Sequence, residues 1–294
     1  MEIITSRQRM MSIAREIQRE GNRTIGFVPT MGALHEGHLS LVQEARARCD
    51  VVVVSVFVNP AQFGPTEDFT SYPRDLTRDS AMLAESNVDY VFAPTVEEIY
   101  PPGFSTYVKV EGLSDQFEGA SRPGHFRGVT TIVALLLNII RPDFAFFGQK
   151  DAQQAIVVKR MVRDLAFSAE IVVLPIAREE SGLALSSRND YLDERQRKAA
   201  TVLCRALSHA AAEYDDGERS AARLIEAVKS TVDKEPLARI DYVSINDAET
   251  LDKLDRIEDR PALVSLAVYI GKTRLIDNIV LGKTEKQDAA GAIA

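Results

Sequence analysis

His35 and His38 stand three residues apart in Pro29-Thr30-Met31-Gly32-Ala33-Leu34-His35-Glu36-Gly37-His38. This run follows the apolar, strand-like Thr24 to Val28 and leads into the helix-like Leu39 to Arg48. Two imidazoles and two glycines at a strand-to-helix turn bring ring N–H groups and backbone amides to a helix start, where phosphate is readily bound. The run reads as a nucleotide site. The bland alternative is a loop whose glycines serve turn geometry and whose histidines cap the helix. A metal pair is the weaker reading, because a zincin needs histidines at i and i+4 with a Glu between and His35-Glu36-Gly37-His38 is one residue too short. Only His125 and His209 remain as imidazole ligands, and neither Cys49 nor Cys204 belongs to a paired-cysteine motif.

Other polar groups fall at comparable places. Lys150 follows Gly148-Gln149 at a second strand-to-helix turn, from which an ammonium can reach phosphate oxygens or simply face solvent. Gln153 and Gln154 follow within the first helical turn, either solvated or bonded to a polar ligand. Ser186-Ser187-Arg188 offers two hydroxyls and a guanidinium that suit a polyphosphate, and suit a helix-capping loop equally well. Asn59 and Gln62 are neutral donor-acceptors at a strand end, able to orient hydroxyl and carbonyl groups or to form a turn with Pro60. Arg122-Pro123-Gly124-His125-Phe126-Arg127-Gly128 is either an anion-binding lid or a solvated basic loop.

Strand-like runs at Thr24 to Val28, Val51 to Val58, Tyr90 to Ala93, Asp143 to Phe147 and Glu170 to Ile176 alternate with helix-like segments. The helices are expected at Leu39 to Arg48, Leu76 to Glu85, Val129 to Ile140 and Ala152 to Leu165. Such alternation specifies parallel strands with helical crossovers, hence a doubly wound α/β domain over residues 1–176. Ligands of such sheets gather beyond the carboxyl ends of the strands at a switch point. The His35/His38 loop, Asn59-Pro60-Ala61-Gln62-Phe63 and Gly148-Gln149-Lys150-Asp151 all follow strands. After Ile176 come helices at Asp193 to Glu213 and Ala221 to Val232, then strands at Ile240 to Ile245 and Leu263 to Ile270, predicting a smaller α+β domain over residues 177–284. The tail Glu285 to Ala294 is small, polar and aperiodic, and is expected to fray.

Composition narrows the function classes. A chain of 294 residues favours two domains, and its net charge of −8 argues against sequence-independent nucleic-acid binding. It leaves room for an anionic substrate held by a few locally placed cations. The longest apolar runs, Val51 to Val58 and Ile132 to Ile140, fall short of the roughly 20 residues of a membrane-spanning helix. A secretory signal is not expected, and two cysteines do not make a disulfide framework, which fits a reducing cytoplasm.

Taken together, the Pro29 to His38 run, Phe57-Val58-Asn59-Pro60-Ala61-Gln62-Phe63, Gly148-Gln149-Lys150-Asp151-Ala152-Gln153-Gln154 and Leu185-Ser186-Ser187-Arg188-Asn189 resemble the pantothenate synthetase (pantoate–β-alanine ligase) family. Tyr72-Pro73-Arg74, Glu118 to Gly128 and Arg274-Leu275-Ile276-Asp277-Asn278 extend the likeness from about Ile3 to Leu281. The resemblance implies a Rossmann-like fold and ATP-dependent condensation of (R)-pantoate with β-alanine through pantoyl adenylate, releasing AMP and pyrophosphate. It also implies Mg²⁺ with ATP, a homodimer, and membership of the nucleotidylyltransferase group marked by His-x-Gly-His.

Carried over residue by residue, Pro29, Thr30, Met31, Gly32, His35, Gly37 and His38 would line the ATP site, with His38 catalytic and His35 a companion phosphate contact. Gly148, Gln149, Lys150 and Asp151 would form a second ATP-binding run, Lys150 on phosphate and Asp151 on ribose. Ala177 and Leu185 would join the adenine side, and Ser186, Ser187 and Arg188 the loop of the smaller domain that closes over the triphosphate. Gln62 and Gln154, with Met31, Asn59 and Phe63, would bind pantoate, Gln62 also meeting β-alanine; the metal ligands are unassigned. Departures are Ala61 where relatives often carry Met, Gln149 where some carry Glu, and Leu185 where some carry Met. Competing readings are a nucleotidylyltransferase of the same fold acting on a phosphate monoester, and a noncatalytic nucleotide sensor. The uncharged Asn59/Gln62/Gln154 set disfavours the first, and retention of the phosphate-facing residues the second.

Overall fold

The computed structural model describes residues 1–65 and 67–282, so the tail Glu285 to Ala294 lies outside the described residues. The chain divides into two compact units: Met1–Gly148 with Gln153–Leu174, and Gln149–Ala152 with the chain from Pro175 onward.

In the first unit the elements run β1 (Glu2–Ile4), α1 (Arg7–Glu20), β2 (Ile25–Thr30), α2 (Glu36–Arg48), β3 (Val51–Val56), α3 (Leu76–Glu85), β4 (Tyr90–Phe92) and α4 (Val96–Ile99). They continue with α5 (Glu118–Ser121), α6 (His125–Ile140), β5 (Phe144–Gly148), α7 (Ala152–Asp164) and β6 (Glu170–Leu174). All six strands form one parallel sheet in the order β1-β4-β3-β2-β5-β6. The doubly wound architecture expected from the alternation is therefore present. β3 reads Val-Val-Val-Val-Ser-Val because it is buried on both faces between β2 and β4, where β-branched side chains pack against the helices on either side.

The chain runs from β2 outward through β3 and β4, then returns to place β5 on the other side of β2. The switch point of the sheet thus lies at β2 and β5. β2 pairs with β3 through Thr30 but with β5 only at Gly26 and Phe27, so the two strands part before Pro29, which has no N–H to donate.

Among the elements of this unit that the sequence does not announce are β1 and α1, with the one-turn helices α4 and α5. β1 is three residues at the sheet edge, and α1 carries a narrow stripe of Met10, Ile13, Ala14 and Ile17 on an otherwise charged helix. The stripe keeps helical spacing, and the ends are marked by Ser6, which accepts from the Arg9 N–H, and by left-handed Gly21. α6 begins earlier than expected, at His125, after left-handed Gly124. The segment read as a basic loop or lid is therefore a helix start.

The start of α6 is where the first unit holds the turn that carries Gln62. Gly128 approaches that turn so closely that a Cβ would lie 2.2 Å from the Ala61 carbonyl oxygen and 2.6 Å from Gln62 Cα. His125 Nδ1 lies 2.8 Å from the Gln62 carbonyl oxygen, which can only accept, while Nε2 lies 3.1 Å from Arg122 Nη1, which can only donate. A neutral ring with its proton on Nδ1 satisfies both. Arg122 in turn grips Glu67 through two bonds of 2.7 and 2.6 Å. Arg122 is thus neither a lid cation nor a solvated one. Burial, reinforced by the Arg122 charge, pushes the His125 pKa down to about 4, against the opposing pull of the Gln62 carbonyl, Glu67 and Glu118.

In the second unit α8 (Glu194–Ala200), α9 (Val202–Asp215) and α10 (Ala221–Val232) precede the antiparallel meander β7 (Ala238–Asp247), β8 (Ala262–Ile270) and β9 (Thr273–Leu281). Leu203, Leu207, Leu224 and Val228 pack with Val264, Leu266 and Val268 as its core. The single helix expected over Asp193 to Glu213 is two, broken at Thr201, whose hydroxyl bonds back to the Lys198 carbonyl at 2.8 Å and competes with the helical pattern. β9 was not expected as a strand because its charged and amide residues Arg274, Asp277 and Asn278 interrupt the apolar alternation.

Two stability outcomes follow from the α6 contact. Gly128→Ala sets a methyl group against backbone that cannot rotate away, and is expected to lower unfolding free energy by about 3 kcal/mol, read as a shifted urea midpoint at constant slope. For His125, the unfolded chain takes up a proton near pH 6.5 and the folded chain only near 4, so in that window acid favours unfolding. Stability is expected to fall by up to about 3 kcal/mol between those pH values and to level below them. Thermal melts of His125→Asn, which retains a donor for the Gln62 carbonyl, should lose that part of the pH dependence; an unchanged profile would show that His125 does not titrate as described.

Candidate active site

β2 ends at Thr30, and the next few residues turn the chain into α2. Thr30 Oγ1 donates to the Ser55 carbonyl and accepts the Gly32 N–H, tying the loop to the end of β3. Gly32 then takes φ +83°, where a Cβ would lie 2.9 Å from Asp79 Oδ2, and Ala33 follows in the left-handed region at φ +52°. The strain of a non-glycine residue there is offset by Asp79. Its buried carboxylate, on α3, accepts the Ala33 N–H at 3.0 Å and the Leu34 N–H at 2.9 Å.

The two histidines form a reciprocal cap on α2. His35 is the N-cap residue, and its Nδ1 accepts the Gly37 N–H at 3.1 Å, while His38 Nδ1 faces the His35 N–H at 3.4 Å. Each neutral ring must then carry its proton on Nε2. The rings lie against one another with centroids 4.1 Å apart. The capping reading and the nucleotide reading are therefore not exclusive, since the cap sets the tautomer that turns each Nε2–H into a donor. Glu36 and Gly37 open the helix beside them, at the positive end of its dipole.

Beyond β3, Asn59 caps the 3-10 turn Pro60–Gln62 by accepting the Ala61 N–H at 3.3 Å. Both Asn59 and Gln62 are buried, and they are bonded to each other, Asn59 Nδ2 donating to Gln62 Oε1 at 3.0 Å. Gln62 Nε2 reaches Met31 Sδ at 3.1 Å, so the glutamine and the histidine-bearing loop share a residue. Phe63 packs at a tilt against Phe69 and edge-to-face with Tyr72. The side chain of Ala61 is exposed, and its contact with Gly128 is made by backbone, so the departure from methionine leaves the Gln62 turn in place. Gln153 and Gln154 separate: Gln153 is buried and spends its amide on Glu118 N–H and the Leu113 and Gln116 carbonyls, whereas Gln154 is half-buried.

In the second unit Gln149–Asp151 forms a 3-10 turn held by β9. Asn278 Nδ2 donates to the Gln149 and Lys150 carbonyls at 3.0 and 2.9 Å, and its Oδ1 accepts from Gln149 Nε2 at 3.0 Å. Asp277, beside it, receives Arg178 at 2.7 and 2.9 Å. Arg178 also donates to the Gly182 carbonyl, bracing a tight return in which Leu185 N–H bonds the Ala177 carbonyl. Ala177 and Leu185 thereby face each other as paired backbone. Ser186 caps the 3-10 turn Ser187–Tyr191 by accepting the Arg188 N–H at 3.3 Å, and buried Asn189 donates to the Ala184 carbonyl. Lys150 Nζ lies 3.9 Å from Asp151 Oδ1.

Asp79, Tyr100 and Arg178 carry no local signal in the sequence, because each acts on a segment distant along the chain. His125 and Asn278 stand within motifs that carry the family likeness, and their structural roles depend on Gln62 and on the Gln149–Asp151 turn. Among the described residues no three His, Cys, Asp or Glu side chains cluster as metal ligands, and no helix is long and apolar enough to cross a membrane.

Comparison with known proteins places these loops in a wider frame. A family model described as Pantoate-beta-alanine ligase matches residues 2–280. The chain is 56% identical over 272 residues to the pantothenate synthetase of Pelotomaculum thermopropionicum, covering 92% of this chain and 96% of that one. Among solved structures, pantothenate synthetase from Thermus thermophilus superposes with a TM-score of 0.90 at 49% identity, covering 95% of this chain and 99% of the other. Pantoate-beta-alanine ligase from Francisella tularensis, complexed with beta-gamma ATP and beta-alanine, gives 0.77 at 35% identity over 97% and 99%. A fold shared at that closeness, with identity exceeding half the aligned residues over nearly the full length of a relative, means that this chain belongs to the pantoate–β-alanine ligase family.

Proposed function

We propose that this member joins (R)-pantoate to β-alanine in two steps driven by cleavage of ATP to AMP and pyrophosphate. The pantoate carboxylate attacks the α-phosphorus and pyrophosphate leaves, giving pantoyl adenylate. The β-alanine amine, having lost a proton from its ammonium form, then attacks the acyl carbon and AMP leaves. The observation that carries this reading is the pairing, within one unit, of two Nε2–H donors at a helix start with an uncharged carboxamide pair that touches the same loop through Met31.

His38 is the catalytic histidine and His35 its companion: their Nε2–H groups, with the amides opening α2, offset charge that develops on the α-phosphate and the departing pyrophosphate. Pro29, Thr30, Met31, Gly32 and Gly37 shape the loop that presents them. Lys150 meets phosphate oxygens and Asp151 the ribose, from a turn whose carbonyls Asn278 has already fixed, with Gly148 and Gln149 leading into it. Ala177 and Leu185 give backbone to adenine, and Ser186, Ser187 and Arg188 grip the triphosphate. Gln62 and Gln154 bind pantoate beside Asn59 and Phe63, leaving its carboxylate to react. Neither nucleophile needs strong activation, so positioning carries most of the rate.

Mg²⁺ fits as a partner of the nucleotide, since it keeps several waters and binds through substrate phosphates with one or two protein oxygens. The acidic residue beside the phosphate lysine, Asp151, is half-exposed at its side chain and open to such a role. When bound, the ion neutralises triphosphate charge. The free thiols of Cys49 and Cys204 accord with a reducing cytoplasm, and the resemblance supports a homodimer.

Exchange of labelled pyrophosphate into ATP tests the first step alone. It is expected to need pantoate and to proceed without β-alanine; exchange that appears only on adding β-alanine would exclude a free adenylate. His38→Ala is expected to slow the exchange by roughly 10²–10³, the scale of one preorganised donor, while the circular dichroism of the fold stays unchanged. Wild-type exchange in that variant would remove His38 from the chemistry.

A further inference from the structure

The carboxamide of Gln62 has a definite sense, set through Asn59 by groups that lie outside the residues assigned above to substrate. Asn59 is pinned by two backbone groups with no choice of role. The Ala61 N–H can only donate and faces Oδ1 at 3.3 Å, and the Gly128 carbonyl can only accept and faces Nδ2 at 3.1 Å. The second proton of Asn59 Nδ2 therefore points at Gln62 Oε1, 3.0 Å away. That bond engages one lone pair of Gln62 Oε1 and turns the NH2 end away from Asn59, where one of its protons meets only the weak acceptor Met31 Sδ. A substrate atom that meets this NH2 end must accept a hydrogen bond, as a pantoate carboxylate or hydroxyl oxygen does.

The remaining lone pair of Asn59 Oδ1 is taken by the Tyr100 hydroxyl at 2.8 Å. Tyr100 ends α4, and its ring is wedged between Phe57 and Phe104, with centroids 6.4 and 5.0 Å away. We infer that Tyr100 is a positioning residue for pantoate: its hydroxyl, acting through Asn59, holds the Gln62 carboxamide with the NH2 end presented to the substrate. Burial, with Tyr107 adding to it, raises the Tyr100 pKa despite the bond to Asn59, so the phenol keeps its proton and the relay keeps its direction at any working pH. His125 supports the same residue from behind by fixing the Gln62 carbonyl.

The inference rests on the reading of Gln62 as a pantoate contact, and kinetics can separate the two. Pantoate KM is measured by pyrophosphate exchange, without β-alanine, for Tyr100→Phe, Gln62→Ala, Gln62→Glu and the double variant Tyr100→Phe/Gln62→Ala. Tyr100→Phe keeps the ring in its aromatic seat, and is expected to raise pantoate KM about five- to tenfold, the scale of one lost neutral hydrogen bond, with the KM for ATP within about twofold. In the Gln62→Ala background the same change should add less than about twofold, because the relay no longer ends on anything. Gln62→Glu can still accept from Asn59 but cannot donate, so it should be impaired at least as much as Gln62→Ala. Unchanged pantoate KM in Tyr100→Phe, equal rises for pantoate and ATP, additive effects in the double variant, or a Gln62→Glu enzyme that keeps its pantoate affinity would each overturn the relay. If Gln62→Ala itself leaves pantoate KM unchanged, the assignment of Gln62 fails and the relay falls with it.

Discussion

A buried carboxylate holds the loop on which the first unit's chemistry depends. The chain must leave β2, reverse through two left-handed residues and start α2 within a few positions, and this leaves the Ala33 and Leu34 amides pointing away from any strand or helix partner. Asp79 satisfies both at once from α3, at the carboxyl side of the sheet. Arg78, on the same helix, donates to the Leu34 carbonyl. With the loop so fixed, His35 can cap α2, the cap can set the tautomers of both rings, and Met31 can lie against Gln62. Loss of the carboxylate would leave two buried amides unpaired, an outcome more costly than the bonds themselves are favourable.

Carboxamides repeat this role elsewhere in the chain. Asn59 joins the Pro60–Gln62 turn to α6 and α4; Gln153 joins α7 to the Leu113–Glu118 segment; Asn278 holds the Gln149–Asp151 turn from β9. Each is buried and uses both its donor and its acceptor end. A neutral amide suits such a place, because it can satisfy a carbonyl and an N–H together without the desolvation cost of a charge. Unlike Asp79, which is satisfied by backbone amides, the carboxylates of Asp277 and Glu67 are paired with Arg178 and Arg122. The Arg122 pair outweighs the upward push of burial and keeps the Glu67 carboxyl below its usual range.

Much of this was legible in the chain itself. Period-2 and continuous apolar runs marked the core strands, helical spacing marked most helices, and the polar loops after β2, β3 and β5 could be placed at strand ends, because these signals come from residues close in sequence. Elements whose apolar signal is thin, β1, α1 and β9, were not seen. The break at Thr201 depends on a side-chain bond that competes with a helix and leaves the hydrophobic period intact.

The sequence by itself determined the alternation of elements, the family resemblance and the identity of the polar groups at the strand ends. Only the tertiary structure decided which Gln of the pair Gln153 and Gln154 is spent on the fold, that Arg122 is an ion-pair partner and not a free cation, and that Gln62 turns its carbonyl end to Asn59 and its NH2 end away. The physical reason is the range of the interactions. Local propensity and periodicity act over a few residues, whereas the sense of a hydrogen bond is set by the obligatory donors and acceptors that packing brings from Gly128, Tyr100 and Glu67, far along the chain.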